Sequence, residues 1–342
     1  MTAIKPTVGN VVKSAVYPAI GSSSSYWTPL ITNVVITPIA GGNRITFTPL
    51  TGYQTEIWYS LDGAAYAMLG RYAESVNSVD HTGLYANIVD YQLRGVLDDA
   101  SYDSDAVALF NRMGGATLGE YPDDTRKGVL NTLFTTGKTK AFWSKLDAAW
   151  LIAAHGAGSA KLNIISTSFS LTLSEALTFE VDRGYSTVPG YIITGYNPTL
   201  HADNYSINSA SLGVYCRTNT SGTGAMIGTG TAGNTSYVMW LSNNGYAAIN
   251  GSAYVTTPTL NVQKLIVGRR LSNTTMAMFL NKVKDEEAKA SAAIPNAVVN
   301  IGLNSDNQFA FAFIGGGMDD TDISDMYDVI VDGYLNSIGA KI

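Results

Sequence analysis

The glycines of Ile227-Gly-Thr-Gly-Thr-Ala-Gly233 stand at the G-x-G-x-x-G spacing of a dinucleotide-binding loop. That chemistry needs a strand before the glycines, a helix after them to receive the pyrophosphate, and an acidic residue about twenty positions on. Here the glycines are followed by Asn234-Thr-Ser-Tyr-Val-Met-Trp-Leu241, a β-rich run with no helical period, and then by the turn Asn243-Asn-Gly245. The segment therefore predicts a hairpin, with a strand over 225–229 and a turn over 231–234. No nicotinamide or other cofactor is expected.

Paired carboxylates are the next candidate. Glu180-Val-Asp182 falls in a strand-like stretch, where residues two apart share a face. Sandwich glucanases place a second glutamate shortly after such a pair, one carboxylate attacking and the other donating a proton. Arg183-Gly-Tyr185 follows instead. The expectation is a strand-end turn or a surface ion pair, and no catalytic residue is assigned. His81, His155 and His201 lie in three separate segments without ligand spacing, so they predict neither a metal site nor a triad. His155 is expected to follow a helix end. Asp319, Asp320, Asp322 and Asp325 form an acidic cluster without the EF-hand pattern, and helix capping is the expected role. The single cysteine, Cys216, is expected to be a buried core thiol.

Aromatic residues offer a different chemistry. Tyr215, Tyr237, Trp240 and Tyr246 fall on expected strands, with Ser242, Asn243 and Asn244 beside them. Flat rings with polar neighbours suit a sugar platform. Trp240, Tyr246, Asn243 and Asn244 are the carbohydrate-binding candidates, and the alternative is that alternation turns about half of these rings into a sandwich core.

The composition of the 342 residues says what must hold these groups. Hydrophobic residues make up 46%, enough for a sizeable core, while charged residues are only 14%. With 34 Gly and 20 Tyr, and Ser, Thr and Asn in place of Glu, Lys and Arg, the chain suits strands and turns. The formal net charge of −6 and the absence of a basic stripe give nucleic-acid binding no electrostatic support. No apolar run of about 18 residues predicts a membrane span, and the N-terminal sequence does not read as a secretory signal.

Residues 1–28 read as an arm that is either disordered or ordered by docking onto a partner, and Val11, Val12, Val16, Tyr17, Ile20, Tyr26 and Trp27, too apolar for a solvated tail, favour docking. Residues 29–109 read as about seven short strands, the last near Tyr102–Leu109. A helical hairpin is expected over 110–165: a first helix with Val129, Leu130, Leu133 and Phe134 on one face, then a second with Phe142, Trp143, Leu146, Ala149, Trp150 and Ala153. From 166 to 342 about eleven strands recur, near 168–173, 177–182, 190–194, 208–217, 224–229, 236–242, 245–250, 263–270, 274–281, 297–303 and 309–315. A capped amphipathic helix carrying Ile323, Met326, Tyr327, Ile330, Tyr334 and Leu335 closes the chain. The fold class is mostly β: an Ig/fibronectin III-like sandwich, a short helical hairpin, and an antiparallel jelly roll.

Two resemblances add to this reading. Leu84 followed by Tyr91-Gln-Leu-Arg94-Gly-Val96 resembles the penultimate-strand signature of fibronectin type III domains, with Phe47 in place of the family's core tryptophan and a Leu-to-Tyr spacing one residue long. It implies a tyrosine corner in which the Tyr91 phenol bonds back to the backbone. Phe179–Tyr185 with Gly190–Pro198, Ser211–Tyr215, Ile266–Arg270 with Met276–Asn281, and Phe313–Met318 together resemble a concanavalin A-like (laminin G-like) jelly roll. Some laminin G-like domains hold a structural calcium at a loop edge, so that alternative stays open at the aspartate cluster.

Phe142-Trp-Ser-Lys-Leu-Asp147, Ala153-Ala-His155 and Ala160-Lys-Leu-Asn163, taken with the jelly roll, are similar to tail-fibre, collar and other accessory virion proteins of bacteriophages over about 110–342. The resemblance implies a non-enzymatic structural, decoration or fibre protein of a virion, made in the bacterial cytoplasm and released on lysis. Its arm would anchor on capsid, collar or tail, and its outward jelly roll would touch host surface glycans. A homo-oligomer is expected, a trimer by analogy. The alternatives are a glycan-degrading enzyme, such as a glucanase or depolymerase, and a cellular carbohydrate-binding adhesion module.

Overall fold

The computed structural model describes residues 32–39, 42–49, 53–61, 67–72, 75–82, 89–97, 101–114, 120–218, 224–229, 235–241, 244–258 and 263–342. The expected arm, Leu84, the turn at 231–234, and Ser242 and Asn243 lie outside them. The chain divides into two compact units, Met1–Tyr102 and Asp103–Ile342.

In the first unit, β1 (Thr32–Ile39), β2 (Gly42–Thr48) and β5 (Ser78–Thr82) form one antiparallel sheet in the order β1-β2-β5. Strands β3 (Tyr53–Leu61), β4 (Ala67–Tyr72) and β6 (Val89–Leu97) form another in the order β4-β3-β6. Ile45 and Phe47 from one sheet meet Ile57 and Tyr91 from the other in a small core. This is the strand order of an Ig/fibronectin III-like sandwich. The Tyr91 phenol is held by side chains: Asn43 Nδ2 donates to it at 3.3 Å and His81 Nδ1 lies 3.0 Å away. These contacts tie β6 to β2 and β5 of the facing sheet, while residues 83–88, upstream of Tyr91, where the implied backbone bond would fall, lie outside the described residues.

The strand expected near Tyr102–Leu109 is instead helix α1 (Ser104–Gly114) of the second unit. Asp103 Oδ1 accepts from the Asp105 amide at the helix entry, and Ala106, Leu109, Phe110 and Met113 bury one face at helical spacing. Helix α2 (Asp124–Gly137) follows as expected, with Asp123 as its N-cap accepting from Arg126 N at 2.8 Å. The second helix of the expected hairpin is only one turn, α3 (Ala141–Ser144). The chain then turns extended into β7 (Leu146–Trp150), every residue of which is buried. The run around it is so uniformly apolar that a three-to-four-residue period is found by chance, and such a run fits a strand covered on both faces.

The second unit is an antiparallel sandwich. Its further strands are β8 (Thr172–Leu173), β9 (Thr178–Glu180), β10 (Gly184–Ser186), β11 (Ile192–Ile193), β12 (Ala210–Cys216), β13 (Gly224–Gly228), β14 (Thr235–Leu241), β15 (Asn244–Gly251), β16 (Val255–Pro258), β17 (Leu265–Arg270), β18 (Thr275–Leu280), β19 (Val283–Ala288), β20 (Asn300–Leu303) and β21 (Gln308–Gly315). One sheet runs β19-β18-β17-β12-β21-β10-β9, with β7 also on β21; the other runs β16-β15-β14-β13-β20-β11-β8. Leu212, Val214, Ile266, Met278, Phe309 and Ile314 of the first meet Ile227, Val238, Ala247, Ile249 and Ile301 of the second. Cys216 is in that core, where burial pushes its thiol up to about 12. All eleven expected strands are present, and β7, β10, β16 and β19 join them.

A one-turn helix, α4 (Pro198–His201), follows β11, and the chain ends in α5 (Asp320–Met326), continued by a π-helix (Tyr327–Leu335). This segment is tied to the outer face of the β12–β21 sheet. Arg269 Nη1 donates to Met318 O and Asp320 Oδ1, Tyr215 Oη exchanges bonds with Ile342, and Lys282 Nζ pairs with Asp328.

Candidate functional site

The hairpin that carries the glycine spacing is β13–β14, antiparallel, with Gly228 opposite Tyr237. A Cβ on Gly228 would lie 2.5 Å from the Tyr237 Cβ and 2.6 Å from Ser236 O. The glycine is there for close strand approach. Both elements beside it are strands, so the parts of a dinucleotide site do not assemble around it.

The Glu180–Asp182 pair is dispersed. Strand β9 ends at Glu180, and Asp182 sits beyond it in a left-handed turn at φ 58°. The two side chains therefore do not share a strand face as the spacing suggested. Arg126 Nη2 reaches Asp182 Oδ1 at 2.5 Å, and Arg183 Nη1 lies 3.6 Å from Glu180 Oε2. The surface pair expected between Asp182 and Arg183 is thus Glu180 with Arg183.

The histidines are equally separate in role. His81 packs edge-on against Tyr59 and Tyr91 in the first unit. His201 Nδ1 accepts from the Asn197 amide around a one-turn helix. His155 follows strand β7, not a helix end, and its Nε2 lies 2.6 Å from Glu120 O.

The aspartate cluster is a helix start with its charges balanced. Asp319 and Asp322 form a reciprocal capping box on α5. Lys145 pairs with Asp322, Arg269 and Lys284 with Asp320, and Lys140 with Asp325. Among the described residues no group of three or more His, Cys, Asp or Glu side chains is arranged to hold a metal ion.

A groove of about 640 Å³ lies between α2 and the π-helix, lined by Thr125, Gly128, Thr132, Thr136, Gly333 and Ser337 among others. The charged groups at its rim, Lys140 and Asp328, are paired with Asp325 and Lys282. It offers hydroxyls and apolar surface, with no acid–base pair.

The aromatic candidates separate cleanly. Tyr215 is buried beneath the C-terminus. Tyr246 stands half-buried on β15, directly opposite Met239 of β14 on one side and Thr256 of β16 on the other. Residues directly opposite across an antiparallel pair share a face, and Met239 in turn faces Ala225 of β13. One row on the sandwich exterior therefore reads Ala225–Met239–Tyr246–Thr256.

Tyr237, two residues before Met239, shares that face. Asn244, two before Tyr246, shares it too. Val238, Ala247 and Ile249 point the other way, into the core. Tyr254, almost half exposed, sets its ring edge-on to Tyr246 with centroids 5.2 Å apart. Partial burial, then the nearby Tyr254, hold the Tyr237 phenol above its ordinary pKa. Three tyrosines thus form one patch with Asn244 and Thr256 beside it.

Of the sequence candidates, Tyr246 and Asn244 come together here. Trp240 stands in β14 opposite Gly224 and Gly245 in register, and Asn243 lies outside the described residues. Tyr254 was missed because it sits in the tight connection Gly251-Ser-Ala-Tyr254 between β15 and β16. Only pairing of those strands brings it over Tyr246.

No protein-family model matches the chain, and no curated protein sequence does. Among solved structures it is similar to the binding domain of botulinum neurotoxin DC in complex with SialylT, at 14% identity, TM-score 0.36, over 51% of this chain and 47% of that one. It is similar to the botulinum neurotoxin serotype D binding domain at 10% identity, TM-score 0.41, over 55% and 52%. The Trypanosoma rangeli sialidase in complex with sialic acid matches at 12% identity, TM-score 0.39, over 86% and 52%. The chain spans about half the length of the solved chains it matches.

Proposed function

We infer that the chain is a non-catalytic, glycan-binding protein of a bacteriophage particle, and that the outer face of β14–β16 is its contact with host surface polysaccharide. The observation that carries the glycan reading is the patch of Tyr237, Tyr246 and Tyr254 flanked by Asn244 and Thr256. The C–H faces of a pyranose ring stack on phenol rings while amides and hydroxyls bond its hydroxyls, and tyrosine supplies that amphipathic contact at little entropic cost. The virion reading rests on the residue patterns of 110–342. A symmetric oligomer on the particle, a trimer first, would multiply weak sugar contacts into firm attachment. The carboxylates that could have argued for glycan cleavage are each held by an arginine.

The test uses the purified full chain on immobilised polysaccharide from the host surface. The double variant Tyr246→Ala, Tyr254→Ala loses binding at least tenfold while its unfolding midpoint stays close to that of the parent. Undiminished binding removes this face from the reading. Release of reducing sugar by the parent chain would turn it into an enzyme. Peptide mass spectrometry of purified particles checks the location, and absence of the chain from them sinks the virion assignment.

A further inference from the structure

The tyrosine face of β13–β16 is built without charge. Between Arg217 and Lys264 the sequence holds no Asp, Glu, Lys, Arg or His, although charged residues are 14% of the chain. That run contains all four strands and every turn that joins them. The two cations that bound it belong to the other sheet: Arg217 follows β12 and Lys264 precedes β17. Around that other sheet charges pair densely, Arg269 with Glu286 and Asp320, and Lys284 with Asp320. A solvent-facing surface normally mixes in both signs of charge, so the omission is particular to the tyrosine face.

The polar groups left there are the Asn244 amide, the Thr256 hydroxyl and the phenols of Tyr237, Tyr246 and Tyr254. Each of them can both donate and accept a hydrogen bond. A sugar hydroxyl does the same, so the match is close. A carboxylate, sulfate or phosphate is stripped of water on binding and needs a cation to offset that loss. The carboxylate at the rim has the wrong sign for this. Glu287 Oε1 accepts from the Thr256 amide at 3.4 Å, and Lys289 Nζ is already engaged by the other Glu287 oxygen at 2.9 Å.

We propose that the ligand of this face is an uncharged polysaccharide, built of sugars without carboxylate, phosphate or sulfate groups, and that the face rejects anionic polysaccharides. This substrate class rests on the glycan-binding reading of the same face. Rejection follows from leaving a desolvated anion without a partner, a discrimination made by what the site lacks. Affinity comes from ring stacking and from hydrogen bonds between neutral groups, neither of which is screened by salt.

Host surface polysaccharide, separated on an anion exchanger into a neutral flow-through and a retained acidic fraction, tests this. Each fraction is immobilised and binding of the full chain is measured at about 50 and about 500 mM NaCl. The chain binds the neutral fraction with an affinity that changes less than about twofold with salt, and binds the acidic fraction at least about tenfold more weakly. Thr256→Lys, which sets a cation on the face, raises binding to the acidic fraction severalfold at the lower salt and loses that gain at the higher. Preference for the acidic fraction, affinity that falls steeply with salt, or a lysine variant that gains nothing overturns the proposal. The glycan reading survives those results as long as the double variant Tyr246→Ala, Tyr254→Ala loses binding. Binding to neither fraction, or binding that the double variant leaves intact, overturns the glycan reading itself and the proposal with it.

Discussion

The two sheets of the C-terminal sandwich share one core and differ in what covers their other sides. In the sheet centred on β12 and β21, burial is continuous: every residue of β7, β12, β17 and β21 is buried. Phe311, Phe313, Tyr215 and Phe279, which alternate with its core residues, are buried as well, and Tyr215 bonds to Ile342 at the C-terminus. In the sheet centred on β14 and β15, burial alternates through Ser236–Met239 and Asn244–Ala247, and the outward positions hold tyrosine, methionine and asparagine. A sheet roofed on both sides can only be scaffold. Among the described residues, the other sheet keeps large amphipathic rings half open on its outer face. On the proposed glycan-binding reading, structure and recognition fall on opposite sides of one sandwich.

If the roofed face is scaffold, substitutions there act on stability. Phe311→Ala removes a fully buried ring stacked on Phe313 at 5.9 Å, and denaturant unfolding should show a loss of about 3–5 kcal/mol. Asp147→Ala comes next. This buried carboxylate on β7 accepts from Tyr196 Oη at 2.6 Å, Asn204 N at 2.8 Å and Tyr205 N at 3.1 Å. Tyr196 follows β11 of the opposite sheet, so the aspartate ties the two sheets together. Leaving three donors unmatched should lower stability by about 3 kcal/mol, and Asp147→Asn, which keeps an acceptor oxygen, should recover part of it. An Asp147→Ala variant as stable as the parent would mean the sheets are not coupled there.

The roof itself offers a smaller effect. Asp319 caps α5 and exchanges bonds with Asp322, so Asp319→Ala should cost about 1 kcal/mol in thermal or denaturant unfolding. A loss confined to the helix, seen as faster exchange over 320–335 with β14–β15 unchanged, is the expected pattern. Equal loosening of both sheets would blur the distinction between them.

The contrast between the sheets also explains what could be read from the sequence. Strands that alternate, such as β2 with Ile45 and Phe47 inward, announce themselves, as does the Asp319–Asp322 cap. Strand β7 does not: Leu-Asp-Ala-Ala-Trp is buried on both faces, Asp147 included, so no alternation marks it, and only pairing with β21 decides that it is extended. Helix α1 was hidden by the expectation of a seventh strand, although Asp103 and the spacing of Ala106, Leu109, Phe110 and Met113 encode it. The candidate site was half legible. Tyr246 and Asn244 lie two apart on one strand, but Tyr254 joins them through a connection whose geometry follows from the register of β15 on β16.

The smallest stability effect tests the comparison most sharply. Tyr246 contacts Tyr254 edge-to-face and is half-buried. Aromatic pairs of this kind contribute about 0.5–1.5 kcal/mol, so Tyr246→Ala should shift the unfolding free energy by no more than about 1 kcal/mol. The same substitution should reduce retention on host polysaccharide severalfold, the single-residue share of the double variant's loss. Stability lost on the scale of Phe311→Ala would show that the ring belongs to the scaffold after all, and both sheets would then be structural. Stability kept with binding lost leaves the ring with recognition as its role, because a half-open tyrosine that the fold does not need has to be explained by what it touches.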